Sequence, residues 1–250
     1  MQSSRIAELL DPFLGEPDAR RLTPDALQHI STYINLLQRW NARVNLTAIR
    51  SEEEIVTRHF GESLFAARHL FPGNKNDAGV PHFSPPLREV GTSIVGSDIT
   101  TRRTKVADIG SGAGFPGIPI KLWAPEISLT LIESNHKKAT FLREVTRALT
   151  LTNVNIQTTR AESLADIKFD VVTLRAVERF ESILPTAASL VAQGGRLALL
   201  IGQTQLSQAH SSLPALNWSR PISIPHSQSR ELTIATNPQE GNQVSKSGRY

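Results

Sequence analysis

Val106-Ala107-Asp108-Ile109-Gly110-Ser111-Gly112-Ala113-Gly114-Phe115-Pro116-Gly117 runs from a short apolar stretch through a cluster of glycines into a helical pattern. The grammar is strand, tight turn, helix. Glycines let the backbone turn sharply and approach a ligand closely, and the first turn of a helix offers unpaired N–H groups. Further apolar runs follow at 129–132, 154–157, 171–174 and 197–201, separated by helically patterned stretches. This alternation predicts an α/β domain over 105–236 with a Rossmann-like, mostly parallel sheet. Short runs at 222–224 and 232–235 are expected to close it as an antiparallel pair, and the polar tail 237–250 to fray.

Upstream, Ile30, Tyr33, Ile34, Leu37 and Trp40 recur at three- and four-residue steps, and Ile55, His59, Leu64 and Leu70 do so more loosely. A helical N-terminal region over 1–71 follows. Thr23-Pro24-Asp25 reads as an N-cap, a first-turn proline and an early acid; Ser51-Glu52-Glu53-Glu54 reads as a capping box. Between 72 and 104, Gly and Pro interrupt every period, which predicts a loop or insert with local strand near 94–99.

The chain has 250 residues, 39% hydrophobic and 20% charged, the balance of a globular protein rather than a low-complexity one. It contains no cysteine, which excludes disulfide frameworks, thiolate zinc sites and cysteine nucleophiles. No window approaches the length of a membrane span, and Arg5, Glu8 and Asp11 interrupt the start where a signal peptide is apolar, so a cytoplasmic protein is expected. The seven histidines are scattered without metal-binding spacing, and no metal is expected. A formal charge of +4 permits a polyanionic partner. Arg20, Arg21, Arg39, Arg43 and Arg50 are candidate phosphate contacts in the helical region, although such charges more commonly form a solvated face.

Two ligand classes suit the glycine turn. Gly112, Gly114 and Gly117 have dinucleotide spacing, and Glu133 lies 19 residues beyond Gly114. Against this, the glycines begin at Gly110, Asp108 stands two residues earlier, and Pro116 occupies the phosphate turn. A carboxylate beside the turn repels a pyrophosphate but complements the ammonium and sulfonium of S-adenosylmethionine. The sign of charge favours the methyl donor over NAD. Glu133, ending the second apolar run, suits the ribose hydroxyls, and Ala161-Glu162 after the third suits an adenine edge.

The acceptor is narrowed by elimination. Cytosine C5 chemistry needs a thiolate, and there is none. Exocyclic-amine methylation commonly uses Asp, Asn or Ser before Pro-Pro-aromatic after the fourth strand, where this chain reads Leu174-Arg175-Ala176-Val177. Ribose 2′-O transfer calls for a lysine-based set, and the fifth run ends in Ile201-Gly202. A ring nitrogen with a free lone pair needs no base. Arg175, at the ligand edge of such a sheet, is read as holding a phosphate, the purine O6 or the methionine carboxylate.

Together these segments resemble the small-subunit ribosomal RNA methyltransferase G family, also called the glucose-inhibited division protein B family. The likeness rests on Trp40-Asn41 with Asn45-Leu46-Thr47, on Arg58-His59 with Ser63, on the stretch Asp108 to Pro119, and on Arg175-Ala176. It implies a class I methyltransferase fold and N7 methylation of one guanine in small-subunit ribosomal RNA. S-adenosylmethionine would be the donor, the small ribosomal subunit the partner, and the enzyme a monomer. It places cofactor contacts at Gly110, Phe115, Ala161-Glu162 and Arg175, with Glu133 at the ribose and Asp108, Gly112 and Gly114 in the turn. Arg58 and His59 would face the substrate mouth.

Three features depart from the family pattern. Ile201 stands where a lysine is usual, Glu62 where an aspartate is usual, and the insert carries Arg88, Arg102 and Arg103 as added basic groups. The Ile201 change raises an alternative, a ribosome-associated RNA-binding protein with a cofactor pocket and little turnover. A nicotinamide-dependent oxidoreductase is the third reading, disfavoured by Asp108 and Pro116.

Overall fold

A computed structural model describes residues 1–15, 21–72, 102–177 and 179–239. The expectations for residues 73–101 of the insert, with strand near 94–99 and Arg88, for Arg20 and for most of the tail lie outside these residues; at the insert's end Arg102 pairs with Asp170 at 3.0 Å. The chain begins with helices α1 (Ser3–Leu14) and α2 (Pro24–Val44). Thr23 caps α2 as expected, its hydroxyl accepting from the Ala26 N–H at 3.2 Å, and Asn45 ends it in the left-handed conformation. Ala26, Ile30, Tyr33, Ile34 and Leu37 form its buried face.

The next helix differs from its sequence reading. Ser51 precedes α3 (Glu52–Glu54), but its side chain makes no capping bond, so the capping box does not form. After one turn the helix widens into a π-helical stretch, Ile55–Gly61, before narrowing into α4 (Glu62–Leu70). A π turn holds more residues per turn than an α turn, which accounts for the loose spacing of Ile55, His59 and Leu64.

The sheet is made of β1 (Lys105–Ile109), β2 (Ser128–Ile132), β3 (Val154–Gln157), β4 (Phe169–Arg175), β5 (Val191–Gly202), β6 (Asn217–Trp218), β7 (Ile222–Ser223) and β8 (Arg230–Thr236). Its order is β3-β2-β1-β4-β5-β8-β6, with β7 also on β8; β1 to β5 are parallel and β8 is antiparallel to β5, β6 and β7. The predicted α/β class and the terminal antiparallel pair are therefore observed. β5 starts earlier than its apolar run, and β6 had no sequence signal. Helices α5 (Gly117–Trp123), α6 (His136–Ala148), α7 (Phe180–Leu190) and α8 (Gln203–Ser212) complete the fold.

Two apolar layers sandwich the sheet. One joins α1, α2, α4, α5 and α6 to it through Leu10, Ile30, Phe60, Leu64, Ile118, Leu131, Phe141 and Leu232. The other lies under α7 and α8 and includes Ile109, Leu174, Leu184, Leu199 and Ile201. Each such side chain contributes about 2 kcal/mol by leaving water. The N-terminal helices thus share one core with the sheet, and this carries α2 and the π-helical stretch to the ends of β1 and β4.

Candidate functional site

The chain order reverses between β1 and β4, where successive helices leave on opposite faces and open a crevice at the carboxyl ends of the strands. The glycine turn fills that position. Its Gly110 and Ser111 N–H groups donate to the Ile132 carbonyl at 2.9 and 3.1 Å, which ties the turn to the end of β2. Gly114 has a φ of +88°, and a Cβ there would overlap the Tyr33 hydroxyl and Ile118. At Gly117 a Cβ would lie 2.6 Å from Leu131 and 2.8 Å from an Asp108 oxygen. Both positions need glycine, for conformation and for close packing respectively.

Tyr33 reaches from α2 to donate its hydroxyl to the Ala113 carbonyl, and its ring stacks on Phe115 with centroids 5.3 Å apart. Sequence periodicity marked Tyr33 only as core. Trp40, also read as core, packs against Phe141 and donates to Glu144 at 3.0 Å.

Asp108 is wholly buried, and its carboxylate is committed inside the turn. One oxygen accepts from Thr173 Oγ1 at 2.9 Å and the other from the Gly117 N–H at 3.1 Å. Burial pushes its pKa up to about 7, against the pull of these hydrogen bonds and of Arg175. The expectation of a direct charge contact with a ligand gives way to a structural one: Asp108 holds the turn in shape. Glu133 is also buried, with Oε2 accepting from the Gly112 N–H at 2.9 Å and Oε1 from the Asn135 N–H at 2.7 Å. A carboxylate has about four acceptor positions, so Glu133 keeps capacity for two hydroxyls beside the turn. Ala161 is buried and Glu162 exposed at the 3-10 turn Ala161–Leu164 that follows β3.

Arg58, His59 and Arg175 are brought together with Phe115, although β4 and the π-helical stretch are far apart in sequence. The Arg175 guanidinium donates to His59 Nδ1 at 3.1 Å, to the Arg58 carbonyl at 2.7 Å and to Glu62 Oε2 at 3.0 Å. His59 lies nearly parallel to Phe115, centroids 4.7 Å apart, with its Nε2 2.7 Å from Thr47 Oγ1. Because arginine can only donate, Nδ1 is the acceptor and Nε2 carries the hydrogen that Thr47 receives. Burial, then Arg175, Arg58 and Arg230, push the His59 pKa down to about 3. The ring is neutral and both nitrogens are engaged.

Thr47 is itself held by Asn41, whose side chain bonds its N–H and its carbonyl, each at 2.9 Å. Of the residues that marked the end of α2, Asn45 is an exposed cap and Thr47 a partner of the site. Sequence reasoning recorded Glu62 only as a departure and missed Arg230, which bonds its other oxygen at 2.9 Å. Glu62 lies one helical turn beyond His59, a signal that was available. Arg230 had none. Among the described residues three arginines thus surround one carboxylate and a neutral histidine, an environment that attracts anions.

Ile201 is buried in the layer under α7 and α8, opposite Glu231 across the β5–β8 pairing. It is packed into the core and does not form an open contact. Among the described residues no group of acidic or histidine side chains is arranged to hold a metal, and no helix is long and apolar enough to cross a membrane.

A family model described as rRNA small subunit methyltransferase G matches residues 26–80 and 87–233, so of the 72–104 stretch expected to depart from the family pattern only 81–86 falls outside the match. The chain is 35% identical over 193 residues to a protein of Halorhodospira halophila named ribosomal RNA small subunit methyltransferase G, spanning 77% of each chain. It is 33% identical over 226 residues to the protein of that name in Roseiflexus castenholzii, covering 86% of this chain and 84% of that one. Among solved structures it is similar to a ribosomal protein L11 methylase from Lactobacillus delbrueckii subsp. bulgaricus. That similarity has a TM-score of 0.46 and 20% identity, and covers 56% of this chain and 72% of that one.

Proposed function

This chain belongs to the rRNA small subunit methyltransferase G family, and we propose that it transfers the methyl group of S-adenosylmethionine to N7 of one guanine in 16S-type small-subunit ribosomal RNA. The observation that carries the reading is the meeting of the glycine turn with the His59–Arg175 pair across Phe115, in the crevice between β1 and β4. When bound, S-adenosylmethionine supplies an electrophilic methyl on a sulfonium. The residues present suit that group: the turn from Gly110 through Gly112 and Gly114 to Phe115 would line it, and Glu133 would accept its ribose hydroxyls. The Ala161-Glu162 turn would border the adenine, and Arg175 has guanidinium N–H groups beyond those engaged with His59, Arg58 and Glu62.

The chain's own residues do the work of positioning. Asp108 and Tyr33 hold the turn, and Thr47 and Arg175 fix the His59 ring against Phe115. Arg58 and His59 border the substrate mouth. Guanine N7 carries a lone pair and no proton, so its methylation needs no base, and His59, neutral and spent in hydrogen bonds, is not placed to act as one. The arginine surplus suits the phosphates of an RNA acceptor. The small ribosomal subunit as substrate, a monomeric enzyme and a cytoplasmic location belong to the same proposal. The RNA-binding alternative without turnover is not favoured, since Ile201 forms part of the core.

Calorimetric titration with S-adenosylmethionine and with NAD tests the cofactor, and methyl transfer to unmodified small subunits, mapped by cleavage at N7-methylguanine, tests the acceptor. Saturable binding of the donor alone and a single cleavage site are expected. Tight NAD binding, or methyl groups at another atom, would sink the reading.

A further inference from the structure

Arg230 opens β8, the antiparallel strand that lies beyond β5 from the glycine turn. Two residues later Leu232 enters the apolar layer shared with the N-terminal helices, so the alternation of the strand turns Arg230 toward that same layer. Its cross-strand partner is Gly202, which has no side chain to block the way over the end of β5. Along this path Arg230 reaches Glu62 Oε1 at 2.9 Å, while Glu62 Oε2 takes Arg175 at 3.0 Å. The carboxylate is thus shared one oxygen to each arginine.

Glu62 is only 3% exposed, and a carboxylate so far from water needs partners on both oxygens. With Arg230 in place, Arg175 receives a single oxygen and keeps its other bonds, to His59 Nδ1 and the Arg58 carbonyl. Without Arg230, the free oxygen is drawn to the nearest cation, which is Arg175. The two-pronged pairing that arginine and carboxylate prefer would then turn the guanidinium away from His59. We propose that Arg230 is a positioning residue for the methyl-transfer site, acting through Glu62 to hold Arg175 against His59. This rests on the reading of Arg175 and His59 as parts of that site.

The test is Arg230→Gln, alone and combined with Arg175→Lys, with Arg230→Lys as the conservative variant. Methyl transfer to small subunits, donor binding by calorimetry and the His59 ring signals by NMR are read in each. In the otherwise native protein Arg230→Gln is expected to lower kcat/KM by about tenfold. In the Arg175→Lys background it should have less than about a twofold further effect, since residues in one network are not additive. Arg230→Lys, able to reach the one oxygen, should recover most of the loss. The His59 signals should shift in Arg230→Gln and return in Arg230→Lys, a readout that needs no substrate. If the wild type fails to methylate small subunits, the function fails while this network remains measurable by NMR. Equal losses in both backgrounds with unmoved His59 signals would overturn the inference. So would a change confined to the salt dependence of RNA binding, which would make Arg230 a phosphate contact itself.

Discussion

Replacing His59 by asparagine removes a ring that the native fold keeps neutral, and the cost of that neutrality can be measured. Burial and the neighbouring arginines lower the His59 pKa from 6.5 to about 3. The unfolded chain therefore takes up a proton on His59 below pH 6.5 while the native protein does not. Stability from this residue is lost as pH falls through the window from 6.5 toward 3. Each unit of pKa difference corresponds to about 1.4 kcal/mol, and integrating the linkage between pH 6.5 and 4.5 gives a loss of about 2 kcal/mol. His59→Asn lacks this dependence. It also loses the ring contact with Phe115, so it starts less stable. The stability gap between wild type and variant is expected to narrow by about 2 kcal/mol on going from pH 6.5 to 4.5. Urea unfolding followed by tryptophan fluorescence at pH 4.5, 5.5 and 6.5 measures the gap, and other titrating groups cancel between the two proteins. A gap that does not change with pH would refute the neutral, buried histidine, and with it the claim that His59 is not a base in this site.

Asp108 should behave with the opposite sign. Its pKa is raised from 3.8 to about 7, so the native state retains a proton that the unfolded chain releases, and stability is lost as pH rises through that window. Relative to wild type, Asp108→Asn is expected to gain about 2 kcal/mol between pH 5 and 7 in the same unfolding assay. Gly117→Ala introduces a Cβ 2.6 Å from Leu131. Overpacking of this kind should cost about 1–3 kcal/mol in thermal unfolding and weaken donor binding, since the Asp108 contact is displaced with it. Tyr33→Phe keeps the stack on Phe115 but leaves the Ala113 carbonyl without its donor. A loss of about 1–2 kcal/mol is expected, with a parallel fall in donor affinity by calorimetry, and unchanged affinity would remove Tyr33 from the turn's support.

What could be read from sequence was what is local. The strand, glycine turn and helix, the five parallel strands and the Thr23 cap each follow from residues within one turn or one strand of each other. The π-helical stretch escaped because its spacing looks like a weak α-helix, although that widening accompanies the placement of Arg58, His59 and Glu62. Asp108 was recognised as important for its charge. The sequence could not reveal that Thr173, on the adjacent strand, and Gly117 occupy both of its oxygens. Arg230 was invisible for a similar reason: its role depends on the β5–β8 register and on the lack of a side chain at Gly202. Ile201 looked like a lost contact at a strand end until the layer under α7 and α8 proved to enclose it.

The helical region and the sheet contribute to the site jointly. Tyr33, Thr47, Arg58, His59 and Glu62 come from the former, and Phe115, Arg175 and Arg230 from the latter. Among the described residues, the side-chain hydrogen bonds of Arg175 go to His59, Arg58 and Glu62 of the helical region, and the His59 stack on Phe115 crosses to the sheet. Neither part presents the arrangement alone, so a change that shifts the helices should be felt at the glycine turn through Tyr33 and at the mouth through His59. The electrostatics point the same way. Three arginines around one carboxylate leave a positive field for phosphates, yet the only titratable group among them with a pKa normally near neutrality is held uncharged and fully bonded. A site that attracts an anionic polymer, supports a donor beside a glycine turn and keeps its histidine uncharged and fully bonded is suited to an acceptor atom that already has its lone pair free. Guanine N7 meets that condition, whereas an amine or hydroxyl must shed a proton in the course of methylation.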